Sequence, residues 1–328
     1  MKVLVIRLSS IGDIVLTSPV VRCLKQQLNC ELHFLVKQKF MSLVANNPYI
    51  DKVLTLNDNL NEIIELLRHE KYDYVIDLHH NTRSFLVKIS LKAKSFTYNK
   101  LDIRKWILTR FKVNIMPENH IVDRYFTSVE HLGVKYDGAG LDFFIGREEK
   151  LPAGVMFSEK YVVFAIGGTY TTKIVPCEIV SKLCGYLRTV RIVLIGGKEN
   201  LAEGNRISMA NSNVTNLAGK LTIAQSALIM RDAAVVLTGD TGMMHVAAAL
   251  KKNIVSFWGN TVPAFGMYPF FPSNHEGVNH VVENKALHCR PCSKLGYKKC
   301  PKKHFMCMNF IDEKIFDEIK VLIDNCLQ

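Results

Sequence analysis

The sequence predicts an α/β protein built on parallel sheets, and three observations carry this prediction. Short β-branched runs, such as residues 3–8 and 161–166, alternate with longer amphipathic stretches along the whole chain, which is the pattern of strands and helices in βαβ units. The 328 residues, 48% of them hydrophobic, exceed what one core of ordinary size can use, so two domains are expected. Turn-rich, charged stretches at 137–140 and 146–154 place the boundary between them.

Each half of the chain forms its own series of predicted strands and helices. In the first half, strands are predicted at residues 3–8, 31–36, 52–56, 72–78 and 94–98, and helices at 13–27, 60–70 and 120–132. In the second half, strands are predicted at 161–166, 191–196, 234–238 and 253–258, and helices at 176–187, 201–210, 223–231 and 243–250. Apolar spacing at 312–326 predicts a terminal helix, which can pack on either domain, including back on the first.

Composition narrows the class of protein. The apolar run at residues 3–6 is too short for a signal peptide and ends at Arg7, and no later run approaches the roughly 20 residues that span a bilayer. We therefore expect a cytoplasmic protein without a transmembrane segment. Nine cysteines, an odd number, then favour reduced thiols or metal ligands over a disulfide framework.

The net charge of +12 is concentrated in two basic zones. Residues 83–112 hold nine lysines and arginines against the single Asp102, and residues 285–304 hold seven against none. From charge alone, the partner of such zones can be a nucleic acid, an anionic lipid or a phosphorylated substrate, and an ordinary surplus of surface lysine is the alternative. Because no RRM, KH or helix-turn-helix pattern accompanies the zones, a nucleic-acid partner is not expected.

The first candidate functional loop, residues 9–13, follows the opening strand at the position where doubly wound sheets bind ligands. It ends in Asp13, at the start of a predicted helix. The carboxylate of Asp13 can cap the helix, or it can act as a general base toward a hydroxyl group. The loop lacks the GxGxxG pattern, which disfavours a dinucleotide-dependent dehydrogenase.

Two loops of the second half suit a diphosphate. Residues 167–173 combine two glycines and threonine hydroxyls with Lys173 but lack the Walker spacing, so a P-loop NTPase is not expected. Residues 239–245 follow a buried strand and open an apolar helix, so Thr241 and Gly242 can present backbone amides to a phosphate, with His245 in the first turn. A solvated Lys173 and a structural His245 are the alternative interpretations.

Several segments of the chain together form a recognisable family pattern. They are residues 3–7 with 10–13, residues 74–78 with Arg83 and Ser84, Lys173 before Pro176, residues 216–220, residues 240–249, and Gly259, Thr261 and Pro263. With these segments the chain resembles glycosyltransferase family 9, the heptosyltransferases of lipopolysaccharide core assembly. The resemblance runs nearly end to end, and the Asp-Thr-Gly-x-x-His element at 240–245 is its most specific part.

The resemblance implies a GT-B fold, with two Rossmann-like doubly wound domains facing across a cleft: an acceptor domain at 1–150 and a nucleotide-sugar domain at 151–328. It also implies that the enzyme inverts the anomeric carbon while moving a sugar, a heptose from ADP-heptose, onto an anionic glycolipid acceptor of the lipopolysaccharide core or lipid A type at the inner-membrane surface. No metal or other cofactor is implied for this reaction.

The same resemblance implies roles for individual residues. Asp13 would be the catalytic base, and Ser10, Gly12 and Arg83 would contact the acceptor. The residues implied to hold the donor are Thr169, Thr172, Lys173, Glu199, Asp240, Thr241, Gly242 and His245.

The chain departs from the family pattern at Ile174 and Val175, where many members carry Arg-Trp, and at Asn260, which replaces a common proline. The donor sugar and the nucleotide base therefore stay open. One alternative function is another GT-B sugar-nucleotide enzyme, such as an epimerase that turns over the donor alone. A second alternative is a non-catalytic anion-binding protein, whose binding would depend on salt and not on Asp13.

Four cysteines in the second basic zone have a spacing that permits a metal. Four thiols can suffice for a structural zinc ion, although this spacing is not that of a standard zinc ribbon, and a reduced thiol cluster is the alternative. The four are Cys289, Cys292, Cys300 and Cys307.

Overall fold

The computed structural model of the protein describes residues 1–328, and the chain forms two compact units. The first unit comprises Met1–Leu101, Asn119–Gly146 and Phe271–Ser273, and the second comprises Asp102–Glu118, Arg147–Phe270 and Asn274–Gln328. The change of unit after Gly146 falls in the predicted boundary stretch. A single division near residue 150 misplaces two short segments: residues 102–118 belong to the second unit, and residues 271–273 belong to the first.

The first unit is built on one parallel sheet of five strands, ordered β3-β2-β1-β4-β5. The strands are β1 (Lys2–Ile6), β2 (Glu31–Lys37), β3 (Lys52–Leu56), β4 (Tyr74–Asp77) and β5 (Lys94–Thr97). Ile6 of β1 is in register with Asp77 of β4. The loops that follow β1 and β4 therefore leave the same edge of the sheet, at the point where the strand order reverses and doubly wound sheets bind ligands.

The second unit is built on a six-stranded parallel sheet, ordered β11-β10-β9-β6-β7-β8. The strands are β6 (Val162–Ala165), β7 (Ile192–Ile195), β8 (Val214–Asn216), β9 (Val235–Gly239), β10 (Asn253–Trp258) and β11 (Asn279–Glu283). Counted from β6, this is the 3-2-1-4-5-6 order of the dinucleotide-binding sheets, and the reversal lies between β6 and β9. Strands β8 and β11 were not predicted, because β8 has three residues and β11 is a polar edge strand.

The helices agree with the predicted pattern in most positions. In chain order they are α1 (Ile11–Val15), α2 (Ser18–Gln27), α3 (Leu60–Glu70), α4 (Thr82–Leu91), α5 (Asp102–Phe111), α6 (Ile121–Phe126), α7 (Cys177–Tyr186), α8 (Leu201–Ala210), α9 (Ile223–Asp232), α10 (Gly242–Ala249), α11 (Met306–Asn309) and α12 (Glu313–Leu327). None of these helices is both long enough and apolar enough to cross a membrane.

Three differences from the predicted helices have physical causes. The prediction of one helix at 13–27 is wrong, because Pro19 lacks an amide hydrogen and its ring meets the carbonyl of the residue four before it, so α1 ends at Val15 and α2 begins at Ser18. The predicted helix at 120–132 ends at Phe126, and only a short 3-10 turn follows at Glu130–Leu132. Helices α4 and α5 lie in the first basic zone and were not predicted, because lysines and arginines interrupt their apolar residues.

Each unit has its own apolar core. Leu4, Ile6, Leu35 and Val75 of the first sheet are completely buried, as expected for parallel strands covered on both faces. In the second unit, the terminal helix α12 packs its apolar face into the core beneath β6 and β7. Of the two predicted packing positions for this helix, the one observed is therefore on the second domain.

Candidate active site

In the first unit, Asp13 lies in α1, immediately beyond the carboxyl end of β1. Its Oδ1 is 2.7 Å from Nη2 of Arg7, and its Oδ2 accepts a 2.7 Å hydrogen bond from the hydroxyl of Ser10. The side chain of Asp13 is 25% exposed, so the surrounding protein covers the carboxylate only in part. These contacts fix the orientation of the carboxylate and balance its charge.

Arg7, to which sequence analysis assigned no role of its own in the site, is the centre of this arrangement. Its buried guanidinium donates to the carbonyl oxygens of Ser9 and Leu78 and to the hydroxyl of Tyr125. Burial by itself would lower the pKa of Arg7, but the carboxylate of Asp13 and the hydroxyls of Tyr125 and Tyr98 together outweigh burial, and the pKa lies above its ordinary value. The arginine is therefore charged at every physiological pH and ties the loop after β1 to the loop after β4.

The loop after β4 is organised by a second buried carboxylate, that of Asp77. Its Oδ1 accepts from the backbone amides of His79 and His80, at 2.9 and 2.8 Å, and its Oδ2 accepts from the hydroxyl of Ser84 at 2.9 Å. Lys88 of α4 adds an ion pair at 3.2 Å. This network fixes the start of α4, where the predicted acceptor residue Arg83 is exposed and has no ion-pair partner.

His79 is a residue of this site that sequence analysis missed. Burial lowers its pKa to about 4, with a further contribution from Arg7 and Lys100, and the nearby carboxylates of Asp77 and Asp13 only partly oppose these effects. The imidazole is therefore neutral at pH 7. Only the pattern of two histidines directly after a strand could have drawn attention to it.

In the second unit, the loops that follow β6 and β9 meet through one ion pair. Nζ of Lys173 is 2.7 Å from Oδ2 of Asp240, and both side chains are largely buried. The same Oδ2 accepts a 2.6 Å hydrogen bond from the hydroxyl of Thr261, in the loop after β10. Asp240 thus holds the ammonium group of Lys173 at the edge of the sheet where the strand order reverses, which is the expected place for an anionic ligand.

The amino end of α10 lies beside this ion pair. Thr241 precedes the helix in an extended conformation, Gly242 is its first residue, and His245 is buried within the first turn. The side chain of Thr241 makes no capping hydrogen bond to the helix. The first amides of α10 therefore keep their capacity to bind an anion, and the positive end of the helix dipole favours one.

Glycines allow these loops to approach closely. A Cβ atom on Gly239 would lie 2.1 Å from the carbonyl oxygen of Lys173, and one on Gly259 would lie 2.3 Å from the carbonyl oxygen of Thr172. A Cβ atom on Gly168 would lie 2.9 Å from the methyl group of Thr241. No other residue type fits at Gly239 or Gly259 without moving the backbone, so these two glycines determine how closely the loops approach.

The remaining predicted donor residues lie in loops at the same edge of the sheet, and they differ in whether their side chains have partners within the protein. Thr169 and Glu199 are exposed, and neither side chain makes a hydrogen bond or ion pair within the protein. The hydroxyl of Thr172 is buried and engaged by the backbone of Tyr297, donating at 3.1 Å and accepting at 2.8 Å. Thr172 therefore anchors a distant segment, which sequence analysis did not foresee.

That segment, residues 285–307, is called here the cysteine-rich segment, and its buried Arg290 supports the donor loops. The guanidinium donates to the carbonyl oxygens of Gly259, Trp258 and Thr261, and it lies 3.2 Å from a carboxylate oxygen of Glu283. Arg290 therefore holds the loop after β10 from its backbone side. Sequence analysis counted Arg290 only as part of the second basic zone.

The cysteines of this segment are free thiols, as are the other five of the chain. Sγ of Cys289 is 3.9 Å from Nε2 of His304. Burial raises the pKa of Cys292 to about 11 and that of Cys307 to about 12, so both are protonated at neutral pH. Whether the segment holds zinc stays an open prediction.

A second group with metal-binding atoms lies in the first unit, at the amino end of its sheet. Ligand atoms of Glu31, His33 and Glu70 lie within 4.8 Å of one another. Glu70, however, already pairs with Lys2 at 2.8 Å and with Lys52 at 2.5 Å. Two ammonium groups thus compensate its charge, and the group lies at the sheet end opposite to the loops described above.

Comparisons with known proteins identify the family and the fold. The family described as glycosyltransferase family 9 (heptosyltransferase) matches residues 61–298. Lipopolysaccharide heptosyltransferase 1 of Campylobacter coli is 25% identical over 291 residues, which cover 80% of this chain and 84% of that protein. Two solved structures are similar at 19% identity: a family 9 glycosyltransferase from Veillonella parvula (TM-score 0.77, covering 99% and 97% of the two chains) and an ADP-heptose heptosyltransferase II from Escherichia coli (0.73, 99% of each). The predicted GT-B fold, with two Rossmann-like doubly wound domains, is confirmed.

Proposed function

This chain belongs to glycosyltransferase family 9 and is a glycosyltransferase, and we propose that it moves a heptose from ADP-heptose onto an anionic acceptor of lipopolysaccharide core synthesis. The second unit holds the nucleotide-sugar donor, and the first unit holds the acceptor. The observation that supports this proposal most strongly is the position of Lys173 beside the amino end of α10, held by Asp240 at 2.7 Å.

The reaction places its largest charge change on the leaving diphosphate. When the bond between the anomeric carbon and the diphosphate oxygen breaks, the electron pair stays on that oxygen. In this proposal the amide of Gly242, the dipole of α10 and the ammonium of Lys173 meet this charge, and such fixed charges stabilise the transition state more than the ground state. Thr169 and Glu199 have free polar groups for the rest of the donor.

Asp13 completes the reaction from the first unit. Its carboxylate takes the proton of the acceptor hydroxyl while the hydroxyl oxygen attacks the anomeric carbon, and the sugar configuration inverts because the attack and the departure are a single displacement. Arg7 and Ser10 orient the carboxylate. The proposed acceptor residues are Ser10 and Arg83, which are exposed, and Gly12, which is buried in α1 beside Asp13. The proposed mechanism assigns the stabilisation of the leaving group to Lys173 and the amino end of α10 and invokes no metal.

The acceptor is proposed to be an anionic glycolipid of the lipid A-core type at the inner-membrane surface. The support for this is charge: Arg83 is exposed and unpaired in the first turn of α4, at the same sheet edge as Asp13. A free guanidinium there binds a phosphate or carboxylate in two hydrogen bonds.

Calorimetric titration of ADP, UDP and GDP, in the presence of EDTA, tests the donor assignment. We expect selective binding of ADP, and we expect Lys173→Ala to weaken it by roughly 10- to 100-fold, since a hydrogen bond between charged groups is lost. Lys314→Ala is the matched control, because Lys314 is an exposed lysine of α12 in the same unit.

Other outcomes identify the alternative functions. Binding of UDP or GDP in preference to ADP would replace the donor but keep the transferase. Conversion of the donor sugar in the absence of any acceptor would favour an epimerase. If no nucleotide diphosphate binds, the proposed function is wrong and an anion-binding protein becomes the better interpretation.

A further inference from the structure

Helix α5 of the second unit exposes its apolar side chains instead of burying them. Ile103, Trp106 and Phe111 are 75%, 57% and 58% exposed. Ile103, Trp106, Ile107 and Arg110 have the spacing of one helix face, and of the residues in α5 only Leu108 is buried. An amphipathic helix in a water-soluble domain normally turns this face toward the core, so α5 presents a surface that another phase or partner can cover.

The chain beyond α5 continues this surface. Val113 and Ile115 are also exposed, and residues 103–117 contain four lysines and arginines and no acidic residue. Exposed apolar side chains that alternate with cations are typical of helices that lie in the interface of a membrane.

The structure joins α5 to the second basic zone. Asp102 at the start of α5 is 2.7 Å from Nζ of Lys294, and Lys112 at its end donates to the carbonyl of Pro291 at 2.6 Å. Lys294 and Pro291 both belong to the cysteine-rich segment. The two basic zones, 170 or more residues apart in the sequence, are therefore neighbours in the structure.

The cysteine-rich segment has the same character as α5. Leu295, Tyr297 and Met306 are large, exposed apolar or aromatic side chains in or beside it. Its exposed lysines without an ion-pair partner are Lys298, Lys299, Lys302 and Lys303. Because these lysines have no acidic neighbour to neutralise them, the surface carries a strong positive field.

We propose that α5 and the cysteine-rich segment together form a docking surface for an anionic phospholipid bilayer. The lysines attract the negative headgroups, and Ile103, Trp106 and Phe111 enter the boundary between headgroups and acyl chains. Nucleic acid is the less suitable partner, since the apolar side chains of the helix would stay exposed on a phosphate backbone. This inference rests on the proposed function in one respect: an acceptor anchored in a bilayer explains why the protein would meet a bilayer.

Tryptophan fluorescence with vesicles tests the proposal directly, because the chain has two tryptophans and Trp258 is 1% exposed. We expect the emission of Trp106 to move to shorter wavelength with vesicles of mixed phosphatidylglycerol and phosphatidylcholine, and not with phosphatidylcholine alone. The variant Trp106→Phe should lose this change while still sedimenting with the mixed vesicles. Binding should weaken as salt rises, because headgroup attraction is screened.

The double variant Ile103→Asn/Phe111→Asn should bind the mixed vesicles at least about tenfold more weakly, since its apolar contact with the bilayer is lost. Met209→Asn is the matched control: Met209 is an even more exposed residue on α8 of the same unit and should have no effect. ADP binding should be unchanged in all variants, which shows that each is folded and separates this test from that of the proposed function.

The proposal is overturned if the wild-type protein does not sediment with the mixed vesicles, or if the double variant binds them as tightly as wild type. It is also overturned if an oligonucleotide prevents vesicle binding and binds the double variant as tightly as wild type. The partner of this surface would then be nucleic acid.

Discussion

The two units have the same arrangement of strands at their ligand-binding edges, and each edge carries an ion pair, but the more exposed partner is the acid in the first unit and the cation in the second. In the first unit the reversal of strand order lies between β1 and β4, and in the second it lies between β6 and β9. The first edge presents the carboxylate of Asp13. The second presents the ammonium of Lys173 and the amino end of α10. The shared topology determines where a ligand binds, and the side chains on it determine which chemistry takes place.

One buried arginine supports each edge, and the two differ in what they touch. Arg7 contacts Asp13 itself, in addition to two carbonyl oxygens. Arg290 contacts backbone carbonyls and Glu283, and it does not contact Lys173 or Asp240. The first arginine therefore both supports its loop and orients the proposed base, whereas the second only supports its loop.

The largest effect on turnover is expected from Asp13, because the comparison assigns the base to the first unit alone. Asp13→Asn keeps the size of the side chain and its contact with Ser10 but removes the base. Turnover should fall by about 10³-fold or more, while ADP affinity stays at the wild-type value, because the donor binds to the other unit. Steady-state kinetics and calorimetry on the same preparation check both parts.

Asp58→Asn is the control for this variant, since Asp58 is an exposed acid of the first unit without a partner. Full activity in Asp13→Asn would eliminate Asp13 as the base. A loss of ADP affinity in that variant would show that the two edges do not divide acceptor and donor as proposed.

A smaller but still large effect is expected from the arginine that acts only as a support. Arg290→Ala leaves the carbonyls of Trp258, Gly259 and Thr261 and the carboxylate of Glu283 without their donor. We expect the free energy of unfolding to fall by about 3 kcal/mol or more, as is usual when one partner of a buried charged network is removed.

Urea denaturation followed by circular dichroism measures this loss. Arg206→Ala is the control, because Arg206 forms an exposed ion pair with Glu178, and such pairs contribute less than about 1 kcal/mol. Unchanged stability in Arg290→Ala would mean that the loop after β10 is held by other contacts, and the parallel between the two arginines would fail.

The sequence predicted the parts of both sites that depend on local pattern. Central strands buried on both faces appear as apolar runs, and the polar residues that follow them, Asp13, Lys173 and Asp240, then lie at a ligand-binding edge by topology alone. The amino end of α10 could be predicted in the same way, from a buried strand followed by a glycine and an apolar helix.

Other parts of the sites depend on contacts between residues far apart in the chain. Arg290 reaches carbonyl oxygens about 30 residues away, and no side-chain pattern marks a carbonyl as an acceptor. Thr172 has the composition of a ligand-binding hydroxyl, yet the backbone of Tyr297 occupies it. The spacing in α5 shows an apolar face but cannot show whether that face is buried, because this depends on which surface the helix meets.

The smallest effect concerns a titration that belongs to the first edge alone. Burial, together with Arg7 and Lys100, lowers the pKa of His79 to about 4 against the opposing effect of Asp77 and Asp13, whereas the ordinary value is 6.5. Between these values the unfolded chain binds a proton at this histidine and the folded chain does not, so the stability that its neutral form permits is complete above pH 6.5 and is lost as the pH falls toward 4. Because His79 is only partly buried, we expect the stability of wild type relative to His79→Gln to decrease by about 1–2 kcal/mol between pH 7 and pH 4.

Urea denaturation at both pH values measures this difference. The control is His69→Gln, at an exposed histidine of α3, for which the stability difference from wild type should not change with pH. If the difference between wild type and His79→Gln does not change with pH, burial and the nearby cations do not keep His79 neutral, and the first edge is less tightly packed than its geometry indicates.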